Sequence, residues 1–146
     1  MGGDAMRPFY SFLDLGEVNK VSRDIPLANS LFQDAESRFH AFFPYKEPTK
    51  FVFENGYEAI RELMDSLLAL RGFKSYSHEA PISFLLEQDI LDEKEAKDID
   101  HIRYLRNRSK YYGKQFSLIE LGTLLEVILP IYGKIKEVVT KELSRH

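Results

Sequence analysis

The chain contains no cysteine. That excludes a disulfide framework, thiol catalysis and cysteine-bound zinc, and it suits a cytosolic protein. Of its four histidines, His40, His78, His101 and His146, none stands at metal-ligand spacing from another, and no Glu-x-x-His motif occurs. A di-metal site in a helical core is therefore not expected, and nothing calls for a cofactor. There is no glycine-rich phosphate loop, no Walker lysine and no serine in a nucleophile-elbow pattern. No apolar run approaches the roughly 18 residues of a membrane span, and no signal-peptide pattern opens the chain. Internal repeats and low-complexity tracts are missing. So are convincing strands: Phe51-Val52-Phe53 is too short and leads into a helix.

What remains is the composition of a globular protein. The 146 residues fit one domain, long enough to bury a core without staples. Hydrophobic residues make up 44% and charged residues 29%, which places the chain outside the disordered class. A net charge of -3 argues against a general nucleic-acid coat. A local basic patch is compatible with it, because Arg103, Arg106, Arg108, Lys110 and Lys114 cluster in sequence. Residues 1–5 have the look of a cloning remnant ahead of Met6 and stay out of the fold argument.

Helical periodicity organises the rest. Asp24 is a natural N-cap, with Pro26 tolerated in the first turn. Ile25, Ala28, Phe32, Ala35, Phe39 and Phe42 then form one face, and Pro44 ends the helix. A second helix is predicted from about Phe53 to Arg71, stopped by Gly72. Its carboxylates Glu54, Glu58, Glu62 and Asp65 read as a solvated side. A polar connection from Phe73 leads through His78 and Pro81 into a short helix that ends near Gln88. Asp92 with Glu95, and Ser117 with Glu120, have capping-box spacing and open two more long helices. Gly113 stops the first of these. Phe116 and Leu121 have the spacing of a hydrophobic staple. The last helix turns Leu118, Leu121, Leu125, Ile128, Tyr132, Ile135 and Val139 inward, with Pro130 kinking it on the solvent side.

Four long helices with short connections make an all-α, antiparallel up-and-down bundle with one added short helix. Residues 24–146 form it. Residues 1–23 are too apolar for a free tail and are expected to pack, as an arm or short helix, on the bundle or on a second subunit.

The chemistry concentrates at the end of the third long helix. Its stripe is Ala96, Ile99, Ile102 and Leu105. At about 100° per residue, Arg106 projects between Ile99 and Ile102, on the buried face. A guanidinium there cannot lose its charge, so it requires an anion, a carboxylate partner or a wet cleft. Asn107, Tyr111 and Tyr112 follow within two turns, as a binding site would place them. Pairing with a carboxylate of a neighbouring helix explains the arginine equally well. His78 has two readings too: helix capping, or a titratable side chain lining a cleft beside the long helix.

One sequence order resembles a known family. Tyr57-Glu58-Ala59-Ile60-Arg61-Glu62-Leu63-Met64-Asp65-Ser66-Leu67 leads through Arg71-Gly72 to Lys74-Ser75-Tyr76-Ser77-His78-Glu79-Ala80-Pro81. The long helix then ends on Leu105-Arg106-Asn107-Arg108. Over residues 24–143 this resembles a HEPN domain, most of all the small prokaryotic, especially archaeal, members. The resemblance implies a helical bundle that forms a homodimer and binds RNA or a nucleotide in a cleft around Arg106. Members are often metal-independent endoribonucleases, and many are toxins paired with a small nucleotidyltransferase antitoxin. Their active motif is an arginine, four to six residues, then a histidine. Arg106 matches the arginine and Asn107 the polar residue after it. The histidine position is Tyr111, Tyr112 or Gly113 here.

That departure sets the expected function. Cleaving RNA without metal needs a base for the 2′-hydroxyl proton, an acid for the leaving oxygen and a cation on the phosphate. Tyrosine, with a pKa near 10, is a poor base at neutrality but still hydrogen-bonds or stacks on a nucleobase. The expectation is a binder that uses Arg106, Asn107, Tyr111, Tyr112 and His78, with little or no nuclease activity. Two alternatives stand beside it. One is an active ribonuclease that uses Arg106 with Tyr111, or with His78, in the missing role. The other is an interaction module for a nucleotidyltransferase.

Overall fold

The structure, a computed structural model, describes residues 6–43 and 47–146. The supposed cloning remnant and the helix-ending Pro44 lie outside the described residues. In chain order the elements are α1 (Phe9–Asp14), β1 (Val18–Lys20), α2 (Ile25–Phe42), α3 (Lys50–Arg71), β2 (Phe73–Ser75), α4 (Ala80–Glu87), α5 (Glu93–Tyr112) and α6 (Leu118–Leu143). This is the all-α bundle expected, with α2, α3, α5 and α6 as its long helices and α4 as the added short one.

The helix ends follow local chemistry. Asp24 caps α2 by accepting from Leu27 N at 2.9 Å. Both capping boxes close: Asp92 and Glu95 on α5, Ser117 and Glu120 on α6. Gly72 and Gly113 end α3 and α5 in the left-handed conformation, as expected of residues without a Cβ. The second long helix begins three residues earlier than predicted, because the Thr49 hydroxyl accepts from Val52 N and draws Lys50–Val52 into the first turn. The helix α6 runs through Pro130, which faces solvent.

The helix α3 is the axis of the core. Tyr57, Ile60, Leu63, Met64, Leu67 and Leu68 are all fully buried along it. The helices α2, α5 and α6 pack around it. Against α2 and α6 lies a ring stack: Phe43 on Phe39 at 4.3 Å, and Phe39 on Tyr132 at 3.8 Å, nearly parallel. Gly56 makes room for it. A Cβ at that position would sit 2.7 Å from Phe43 Cζ and 3.2 Å from Ile128 Cγ2.

Two expectations need correction here. A small antiparallel ladder is present, with Val18 opposite Ser75 and Lys20 opposite Phe73. Three-residue strands paired across more than fifty residues leave no periodicity to read. Leu118 faces solvent, as does Ile119, with 68% and 83% exposure. Leu118 is the first residue after the cap, and the inward stripe begins only at Leu121. Phe116 of the expected staple instead meets Phe53 edge-to-face at 5.4 Å.

The arm packs on the bundle, as one reading of the sequence had it. Phe9 and Phe12 of α1 are buried, with Phe9 edge-on to Phe73 and Phe84. Ser83 Oγ donates to Arg7 O at 2.6 Å, and Phe9 N donates to Glu87 Oε2 at 2.7 Å. The arm, β2 and α4 thus make one unit that fixes the loop carrying His78.

The close approach at Gly56 yields a stability prediction. Gly56→Ala lowers the unfolding free energy by about 1–3 kcal/mol through overpacking, despite alanine's better helix propensity. Gly133→Ala, with nothing within 4 Å of its Cβ, raises it by about 0.5–1 kcal/mol. Urea unfolding followed by circular dichroism measures both.

Candidate functional site

Arg106 lies on the inner face of α5, as its spacing predicts, and is only 5% exposed. Its charge is answered from α3: Arg106 Nη2 donates to Glu58 Oε1 at 3.1 Å. Nη1 reaches Asn107 Oδ1 at 3.4 Å, and the guanidinium carbon stands 5.6 Å from the centre of the Tyr57 ring. Among the described residues Nε has no hydrogen-bond partner, and neither has the nearby Tyr57 hydroxyl. Burial pushes that hydroxyl up to about 12, so it stays protonated. One turn on, Ser109 Oγ donates to Glu54 Oε2 at 2.8 Å.

The α3 carboxylates are therefore not a solvated side. Glu54 and Glu58 face α5, and Glu62 binds Arg38 of α2 with Nε to Oε1 at 2.8 Å. Glu58 Oε1 is shared with Arg61 Nη1 at 3.4 Å. They escaped the sequence reading because α3 is buried around most of its circumference, so its polar residues sit at seams between helices. The available signal was Glu54, Glu58, Arg61 and Asp65, spaced by four, three and four residues along one line of the helix.

His78 does not cap α4. The cap position is Glu79, and the Ser77 hydroxyl before it accepts from Glu79 N and Ala80 N at 3.1 and 3.2 Å. Ser75 Oγ in turn donates to Ser77 O at 2.7 Å and accepts from Ser77 N at 3.1 Å. These bonds hold the loop and leave the imidazole free. His78 lines a cleft of about 260 Å³ with Arg61, Asp65 and Tyr76. Partial burial lowers its pKa, and the positive charges of Arg61, Arg106 and Arg103 lower it further. That direction favours the neutral imidazole, whose lone pair accepts a proton or a hydrogen bond. Beside it, burial raises Asp65 to about 6, helped by Glu58 and Glu62 and opposed by Arg61.

The tyrosines lie elsewhere. Tyr111 and Tyr112 are 65% and 74% exposed. At about 100° per residue they point about 120–140° away from Arg106 around α5. Within the chain the geometry gathers Arg106, Asn107 and Glu58, brings the Arg106 charge to bear on His78, and separates them from both rings. Sequential closeness had hidden this, because residues five and six apart fall on different faces of a helix.

A larger cleft, about 700 Å³, opens on the other side of α4, where Arg103 bridges Glu79 at 3.6 Å and Asp100 at 2.9 Å. It presents both signs of charge, including Arg7, Glu93 and Lys97. Among the described residues no group of three potential ligands could hold a metal ion, and no helix is long and apolar enough to cross a membrane. No protein-family model matches the chain, and no curated protein matches it.

The Asp65 carboxyl gives a pH prediction with a definite sign. Its folded pKa of about 6 exceeds the ordinary 3.8, so between those values the native state holds the extra proton. Stability contributed by this group therefore falls as pH rises through that window. Asp65→Asn should gain about 1–3 kcal/mol relative to wild type between pH 4 and pH 7.5. Denaturant titrations at the two pH values provide the check.

Proposed function

We propose that this chain is a HEPN-like protein that binds RNA or a nucleotide through its phosphate, in the neighbourhood of Arg106, with little or no nuclease activity. The observation that carries the reading is the incompletely satisfied guanidinium. Arg106 is buried, holds one carboxylate oxygen, and keeps Nε without an acceptor. A phosphate oxyanion supplies several acceptors and suits a planar fork of donors. Arg61, which shares Glu58 Oε1 with Arg106, lines the neighbouring cleft together with His78. Glu58 acts in this reading as the internal anion that holds the charge until the ligand replaces it.

The proposal includes a homodimer. Leu118 and Ile119 expose an apolar edge just beyond the end of α5, which favours a partner over water. In a dimer a second copy of the Arg106 helix end would complete the cleft. Weak cleavage follows from the absence of a histidine in the four-to-six-residue window after Arg106 and from the outward direction of Tyr111 and Tyr112.

A second reading, metal-independent cleavage with His78 as the base, rests on the lowered pKa of that imidazole among three arginines. Neutral histidine is the competent form for taking a 2′-hydroxyl proton.

One experiment separates these. Labelled RNA is incubated with the protein in EDTA, and affinity and cleavage are both measured. Glu58→Gln should tighten binding several-fold by removing the competing anion, with no cleavage in any variant. Unchanged or weaker affinity in a folded Glu58→Gln protein would mean that the pair is only structural. Cleavage abolished by His78→Ala would establish the second reading.

A further inference from the structure

The exposed face of α5, opposite Arg106, carries a run of rings and cations, His101, Tyr104, Arg108 and Tyr112, with the pair Lys110 and Tyr111 beside it. His101 lies over Tyr104 with ring centres 6.5 Å apart, and the Arg108 guanidinium stands 6.0 Å from Tyr104 and 5.3 Å from Tyr112. Lys110 stands 5.8 Å from the Tyr111 ring. All three tyrosines are more than half exposed. Rings on a soluble surface bear a solvation cost that packing or a ligand normally removes. Here they are spaced about 12 Å along the axis from Tyr104 to Tyr112, with their faces held by cations rather than covered by protein.

The charge around this run is equally uneven. From His101 to Ile119 there are five basic residues and no acidic one, whereas the rest of the chain has 15 basic against 23 acidic. The cations of α5 that form ion pairs are Lys94, Arg103 and Arg106. Among the described residues, Arg108 and Lys110 pair with no carboxylate and stand instead over tyrosine rings. A two-fold contact of this face with its own copy would set these unpaired cations against one another. An anionic polymer with planar, stackable groups fits both halves of the pattern.

We infer that this outer face of α5 is a binding platform for single-stranded nucleic acid. Bases stack on Tyr104, Tyr111 and Tyr112, while phosphates lie against Arg108 on this face and Lys110 at its edge. The platform extends the RNA reading given above to a second surface and does not require Arg106. Duplexes bind it less well, because their bases are already stacked.

The test is fluorescence anisotropy with a labelled oligouridine 12-mer and with a duplex of the same length, in wild type and variants at exposed positions. Tyr104→Ala/Tyr112→Ala should weaken single-strand binding by about tenfold or more, and Tyr104→Phe/Tyr112→Phe should retain it. Arg108→Gln and Lys110→Gln should each reduce the slope of log K against log salt by about 0.7. Equal affinity for duplex and single strand, or unaltered binding by the alanine pair, overturns the inference. So does an alanine pair that changes only the mass seen by light scattering, since the face would then belong to a second copy. Affinity changed by Glu58→Gln but not by the alanine pair leaves the Arg106 reading standing and removes this one; the reverse pattern does the opposite.

Discussion

A guanidinium inside a helical bundle has to be answered by an anion, and in this fold the contact of Arg106 with Glu58 is that answer. It joins α5 to α3, the helix around which everything else is packed. The pairing fits one rotation of α5. With Arg106 turned inward, Ile99 and Ile102 are buried above it and Ser109 meets Glu54 below it. The same rotation turns Tyr104, Arg108, Tyr111 and Tyr112 outward. The apolar stripe of α5 and this ion pair agree on one rotation, which puts Arg106 inside and the tyrosines on the surface.

A pair of this kind is poor evidence for stability, because desolvating two charges consumes most of what their attraction returns. Its value here is different. Glu58 divides one oxygen between Arg106 and Arg61, and Arg106 Nε remains unsatisfied. A structural pair would be expected to use its donors fully. An arginine held short of full satisfaction, with a second arginine on the same carboxylate, is the observation on which the proposed anion binding rests.

Features governed by neighbouring residues were legible in the sequence. Asp24, Asp92, Ser117, Gly72 and Gly113 act where their side chains, or lack of one, require. Arg106 was placed correctly because periodicity assigns a face without knowledge of what lies across from it. What depended on distant partners was not legible. Glu58 looked like a solvated residue until α5 was laid against it. His78 looked like a cap until Ser77 took the two backbone donors. The β1–β2 ladder is a contact between the arm and the chain beyond α3, with too few residues to leave a pattern. Tyr111 and Tyr112 seemed to belong with Arg106 because they are close in sequence, and helical geometry separates them.

The proposed exchange of Glu58 for a bound phosphate at Arg106 can be followed directly. In nitrogen-15 labelled protein the Arg106 Nε–H resonance, identified by its loss in Arg106→Lys, is followed while RNA is added to saturation. Replacement of the carboxylate by phosphate predicts a large shift of this resonance that saturates with the binding curve. An Nε–H signal that stays in place while RNA saturates the protein would contradict it, and would leave Arg106 as a purely structural partner of Glu58.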